Sequence, residues 1–281
     1  MSIRRIKYHA FLRYYAFCFL AFHFIRICNG LNLSQLGRPF IHEVRQDPLV
    51  WHFVASGIPD MIVSSNFLCL GLDILLAIPM ILIAFFSFSQ KAIFRLVIIH
   101  VLLFAIYLLI IFSFPSLSIR KYLGLALVPI IFLFQDKRNY SKAFDIMRFY
   151  VMFIFASSAM WKIVRGAIFD NDQFVNILRN QHLEHLVLFP NHITSQIADW
   201  LIMHQNISYI FYLLIALLQL SFLTGFFTRK YDRYLLAGML LFILGDFLVM
   251  RVEYWEFLVF VPLFLSGKNL FRHYEEDELH I

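Results

Sequence analysis

The chain has 281 residues, of which 61% are hydrophobic, 18% aromatic and only 15% charged, and its mean hydropathy is +0.73. So few polar groups cannot cover a water-soluble globule; lipid is the solvent for much of the surface, and no sizeable soluble domain is expected. The formal charge of +6 is spread over short loops without a long basic tract, which gives nucleic-acid binding no support.

In hydrocarbon an α-helix satisfies its own backbone N–H and C=O groups, and apolar stretches near 20 residues recur along the chain. The runs 74–86, 96–112 and 235–247 are nearly continuous, whereas barrel strands alternate apolar and polar residues. The expected fold is therefore an all-α polytopic membrane protein, 1–281 forming a single membrane domain. Its eight spans fall at 9–28, 62–86, 93–112, 119–134, 146–165, 208–227, 234–250 and 252–267. The fourth and eighth are short and interrupted by Pro129 and Pro262, so they read as half-membrane or kinked helices.

The basic start of the chain precedes an apolar stretch that holds Arg13, His23 and Arg26 and lacks a small-residue cleavage site, so it reads as a retained first helix rather than a signal peptide. Cys18, Cys28 and Cys69 form no C-x-x-C pair, which argues against dithiol redox chemistry. Alternate gaps hold Arg4/Arg5/Lys7, Lys91, Lys137/Arg138/Lys142, Arg229/Lys230/Arg233 and Lys268/Arg272, and are richer in cations than the gaps between them. The positive-inside rule makes these the cytoplasmic side, with both termini cytoplasmic and a bacterial inner membrane as the expected location. The two long outer segments, 29–61 and 166–207, carry Trp51, Trp200, several histidines and amphipathic stretches. They are expected to fold as short helices forming a lid over the outer mouth. The tail, 268–281, ends in a solvated acidic run.

The second half of the chain rewrites the first. Tyr14-Tyr15 leading to Arg26-Ile27 and Gly30 returns 136 residues later as Tyr150 leading to Lys162-Ile163 and Gly166. Each half closes on a similar segment, Leu127-Val128-Pro129-Ile130 against Phe260-Val261-Pro262-Leu263. Two four-helix repeats, 8–134 and 146–267, are expected, inserted the same way up about an axis near the membrane normal.

Ala156-Ser157-Ser158-Ala159-Met160-Trp161-Lys162, the acidic Asp170-Asn171-Asp172 and Leu220 to Arg229 resemble the HTTM domain, the membrane portion of vitamin K-dependent γ-carboxylase-like proteins. The Gly225-Phe226-Phe227-Thr228-Arg229 turn is also similar to DoxX-like membrane proteins. The resemblance covers 145–267 and implies fold more than reaction. It places Lys162 where the carboxylases of that superfamily have a lysine in vitamin K-linked base chemistry, and Asp246 stands where a histidine is expected. The large extracytoplasmic substrate-carrying domain of those enzymes has no counterpart, so carboxylation of protein glutamates is not expected.

An ionisable group at the centre of a span costs about 2.5–3.5 kcal/mol on insertion scales, which makes such residues site candidates. Lys162 and Arg165 are neighbours at i and i+3. Each either snorkels to the interface or lines an internal cavity, where a desolvated Lys162 would serve as base or nucleophile. Asp73 and Asp246 lie too deep to snorkel, so each is a buried ion-pair partner or a carboxylate handling protons or ligand; Arg26 is the candidate partner of Asp73, and Arg251, Lys162 or Arg165 of Asp246. Arg251, Glu253, Glu256 and Trp255 either anchor the outer boundary or border the site. Lys162, Asp246 and Arg251 are the catalytic candidates; Trp161, Arg165, Glu253, Trp255, Arg26 and Asp73 are the substrate-binding ones. His182 and His185 share a helical face that makes a weak metal edge.

These residues point first to an enzyme or redox-associated factor acting from the outer face on a lipophilic substrate, a quinone or lipid, with a quinone as the candidate cofactor. The alternatives are a non-catalytic subunit or scaffold docking a membrane or secreted protein, and, less supported, a transporter on parallel repeats with Asp73 and Asp246 as ion sites.

Overall fold

The computed structural model describes residues 3–35, 48–112, 123–250 and 254–265. Expectations falling on 36–47, 113–122, 251–253 and 266–281, including those for Arg251, Glu253, His42 and the tail, lie outside the described residues. Among the described residues every regular element is helical.

The chain opens with α1 (Ile3–Cys28) and a 3₁₀ turn (Leu33–Gln35), then two short helices, α2 (Pro48–Ala55) and α3 (Ile58–Ser64). The long helices α4 (Asn66–Phe85) and α5 (Gln90–Phe112) follow, then the nine-residue α6 (Leu123–Ile131). Then come α7 (Lys137–Val164), a 3₁₀ turn (Ala167–Phe169), α8 (Gln173–Leu188), α9 (Ile193–Met203), α10 (Gln205–Ser221) extended by the single turn α11 (Thr224–Phe227), and α12 (Asp232–Gly245). The last runs into a five-residue π-helix (Asp246–Met250) and is followed by a 3₁₀ segment (Trp255–Phe260) and α13 (Val261–Leu265).

Six helical stretches are long and apolar enough to cross a bilayer: Tyr8–Gln35, Asn66–Phe85, Gln90–Ile111, Arg138–Val164, Gln205–Phe227 and Asp232–Met250. The protein is an integral membrane protein. Of the fourth and eighth expected spans the structure describes α6 and the stretch Trp255–Leu265. At 1.5 Å per residue α6 rises about 14 Å, roughly half the hydrocarbon thickness.

The ends of α1 and α7 are set by the same device. Gly30 and Gly166 adopt left-handed conformations, φ 67° and 72°, and their N–H groups bond back to Ile27 and Ile163. Leu31 N–H also reaches the Arg26 carbonyl (2.9 Å), which completes a Schellman turn on α1. Ser65 separates α3 from α4, its side chain accepting from Leu68 N–H, and Asp136 accepts from Asn139 N–H at the start of α7.

The fold divides into two compact units, 1–143 with 256–259, and 144–255 with 260–281. In the first, two adjacent tyrosines on α1 make long-range hydrogen bonds to backbone carbonyls. Pro129 has no N–H to offer the carbonyl four residues back, that of Leu125, and Tyr15 Oη donates to that oxygen (2.8 Å). Tyr14 Oη donates to the carbonyl of Leu258 (2.7 Å), in the 3₁₀ segment Trp255–Phe260. His100 Nε2 completes the buried Tyr15 site at 3.1 Å, amid Phe19 and Phe104.

The second unit is pinned at the start of α12. Arg148, 1% exposed, meets Asp232 through Nε (3.1 Å) and Nη2 (2.5 Å), and donates to the carbonyls of Gly225 (2.8 Å) and Thr228 (3.2 Å). Arg229 pairs with Asp145 beside it. The Gly225 to Arg229 turn is therefore a structural clamp. A Cβ at Gly225 would stand 2.5 Å from Met152 Sδ, so glycine lets α7 and this turn approach.

Candidate functional site

Near the C-terminal end of α7, about four turns beyond Arg148, the second unit gathers a different set of polar groups. Lys162, two residues before the helix ends, donates through Nζ to Gln219 Oε1 on α10 (2.7 Å) and lies 5.4 Å from the centroid of the Tyr212 ring. Asp246, the first residue of the π-helix, is within electrostatic range of the ammonium. Gln219 and Tyr212 are buried, whereas Lys162 and Asp246 remain partly accessible. The α-helical register of α10 explains the grouping: residues 212 and 219 are seven apart, two turns on one face.

Lysine has only donors, so Gln219 presents its carbonyl oxygen to it and keeps its NH₂ for other groups. One Nζ donor is used by Gln219, and an aromatic face adds cation–π attraction. The remaining donors and the Asp246 carboxylate form an acid–base pair in an apolar setting, suited to polarising a carbonyl or holding an anionic oxygen while accepting a proton nearby.

The other predicted site residues separate into groups. Trp161 and Arg165 stack on one another, guanidinium 4.4 Å from the ring centroid, and both are exposed. They form a surface pair one helical position away from the contacts of Lys162. Trp255 packs against Phe247 (5.0 Å), next to Asp246 in sequence. Arg26 and Asp73 belong to the first unit and are buried there near His23, whose surroundings include both charges. Asp73 Oδ2 accepts from the Ser34 N–H (3.0 Å), Arg26 donates to the Leu31 carbonyl, and Asn32 Nδ2 lies 3.5 Å from His23 Nε2.

His182 and His185 do separate work. His182, fully buried, meets the Val249 carbonyl through Nε2 (2.7 Å), and His185 Nε2 meets Thr194 Oγ1 (3.1 Å). No group of three or more potential metal ligands occurs among the described residues. The Val249 contact ties α8 to the π-helix that begins at Asp246, so His182 positions the carboxylate-bearing segment. Around it Phe174, Leu178, Leu201 and Tyr212 form a buried cluster with Val249 and Met250 at its edge.

Sequence reasoning missed Gln219 and Tyr212 because it weighed charged groups and the tryptophans beside them. A carboxamide between Leu218 and Leu220 is itself a costly group in lipid and was a readable signal. Arg148, inside the fifth expected span, was a readable signal of the same kind, whereas Asp232 precedes the seventh.

No family model matches the chain, and neither a curated protein nor a solved structure matches it.

Proposed function

We propose that the protein binds a lipophilic, carbonyl-bearing substrate, a quinone or a lipid, at Lys162 and acts on it there, as an HTTM/DoxX-like membrane enzyme or redox-associated factor. The observation that carries this reading is the 2.7 Å bond from Lys162 Nζ to the buried Gln219, with Asp246 in electrostatic range, the three residues standing on three helices long and apolar enough to cross the bilayer. An ammonium kept in hydrocarbon with donors to spare is a costly arrangement that a ligand oxygen would stabilise. Lys162 would be the donor that polarises the substrate, Asp246 the proton acceptor, and Gln219 the group that orients Lys162.

The reading extends to architecture: two parallel four-segment repeats, the fourth and eighth segments entering the bilayer only part way. It is supported by the recurrence of left-handed glycine, 3₁₀ turn, two short helices, two long helices and a proline-bearing short helix. An arginine also ties each opening helix to the turn after the next long one, Arg13 to Ser87 (3.2 Å) and Arg148 to Thr228. The loop charges support cytoplasmic termini in a bacterial inner membrane, with the Lys162 end outward.

The test is binding of short-chain benzoquinones and naphthoquinones to protein in nanodiscs, read by thermal shift and native mass spectrometry. Wild type is expected to bind, Lys162→Arg to bind weakly and Lys162→Met not at all, with all three equally folded. Equal binding by wild type and Lys162→Met removes the assigned role.

A further inference from the structure

The hairpin formed by α8 and α9 has two unlike surfaces. Asn176, Arg179, Asn180 and Gln181 are exposed polar residues along the first three turns of α8. Beyond His182 most exposed residues are apolar: Leu183, Val187, Leu188, Phe189 and Ile193 form the tip, each between 57% and 70% exposed, with Asn191 and His192 the exposed polar residues of its turn. Within a water-soluble protein such a tip would invite association. Its depth here follows from its contacts to two helical stretches long and apolar enough to cross the bilayer.

His182, the residue just before the tip, is bonded to the Val249 carbonyl (2.7 Å), and Val249 belongs to the Asp232–Met250 membrane stretch. At 1.5 Å per residue Val249 stands about 26 Å from Asp232, less than the roughly 30 Å of a hydrocarbon core, and any tilt lowers it further. Further back on α8, Phe174 packs against Tyr212 at a centroid distance of 5.8 Å, and Tyr212 lies within the Gln205–Phe227 stretch. The helix thus lies across two membrane stretches at about the level where acyl chains meet headgroups. Its other end is held as closely: α9 closes at Met203, α10 begins at Gln205, and Ser208 Oγ donates to the Leu201 carbonyl.

We propose that the tip of this hairpin is immersed in the lipid of the leaflet on the Lys162 side, an interfacial anchor whose partner is the bilayer itself. Leu183, Val187, Leu188, Phe189 and Ile193 contact acyl chains, while Asn176 to Gln181 face water. The placement rests on depth and exposure and is independent of what Lys162 binds.

Nitroxide accessibility in nanodiscs of phosphatidylcholine and phosphatidylglycerol tests it. Single cysteines are introduced at Leu183, Leu188, Phe189, Asn176 and Arg179 in a background with Cys18, Cys28 and Cys69 replaced by alanine, retained only if elution matches wild type. At the three tip positions oxygen, which concentrates in lipid, is expected to relax the label several-fold more effectively than a water-soluble nickel chelate. At Asn176 and Arg179 the order is expected to reverse. Nickel-dominated relaxation at the tip overturns the proposal by placing it in water. Immobile labels reached by neither reagent overturn it too, by placing a second copy or another protein over the tip.

Discussion

Two positions on α7 hold similar charges in opposite states of satisfaction. Arg148, near the middle of the helix, has both oxygens of Asp232 and two backbone carbonyls. Lys162, near its C-terminal end, has one amide oxygen, an aromatic face and a carboxylate in range, and it stays partly accessible. A buried cation with nearly all its donors used is a structural element; one with donors left over is poised for a ligand. Burial alone does not make the distinction, since both residues sit in or beside apolar helices.

The largest expected effect falls on the satisfied cation. Arg148→Met leaves Asp232 buried and unpaired and should cost about 3–5 kcal/mol, measured as a lowered Tm in detergent; the double variant Arg148→Met/Asp232→Leu should recover much of that loss. A single variant as stable as wild type would end the structural reading of the clamp. Intermediate in size is Tyr15→Phe, which strips the Leu125 carbonyl of its donor and should cost about 1–3 kcal/mol. Replacing Pro129 by alanine restores a backbone N–H for that carbonyl, so the cost of Tyr15→Phe should shrink in a Pro129→Ala background. Additive effects would mean that the tyrosine acts through something other than this oxygen. Smallest is Lys162→Met, expected to change stability by less than about 1 kcal/mol while abolishing quinone binding. A loss as large as that of Arg148→Met would erase the contrast between the two cations.

The apolar runs made the membrane helices readable, because lipid demands about 20 apolar residues wherever a helix crosses. Helix ends were less readable. α7 begins at Lys137, well before the expected start at 146, since charged residues continue a helix beyond lipid at little cost. The outer segments did form short helices, as their amphipathic periodicity implied. For the site, the sequence identified Lys162 and Asp246 by their charge. It could not pair them with Gln219 or Tyr212, which the packing of α7 against α10 brings into reach from 57 and 50 positions away. Trp161 and Arg165, equally prominent in sequence, went to the surface: one step along a helix turns a side chain by about 100°.

The hydrogen bond from Tyr14 to Leu258 has a consequence for biosynthesis. Tyr14 belongs to α1, and Leu258 is made 244 residues later. The segment 256–259 is part of the first unit although its flanks belong to the second. Chains fold from the N-terminus as they are made, yet this first unit stays one segment short until residues 144–255 of the second have been synthesised. A nascent chain arrested anywhere before residue 256 therefore holds a first unit that is unfinished.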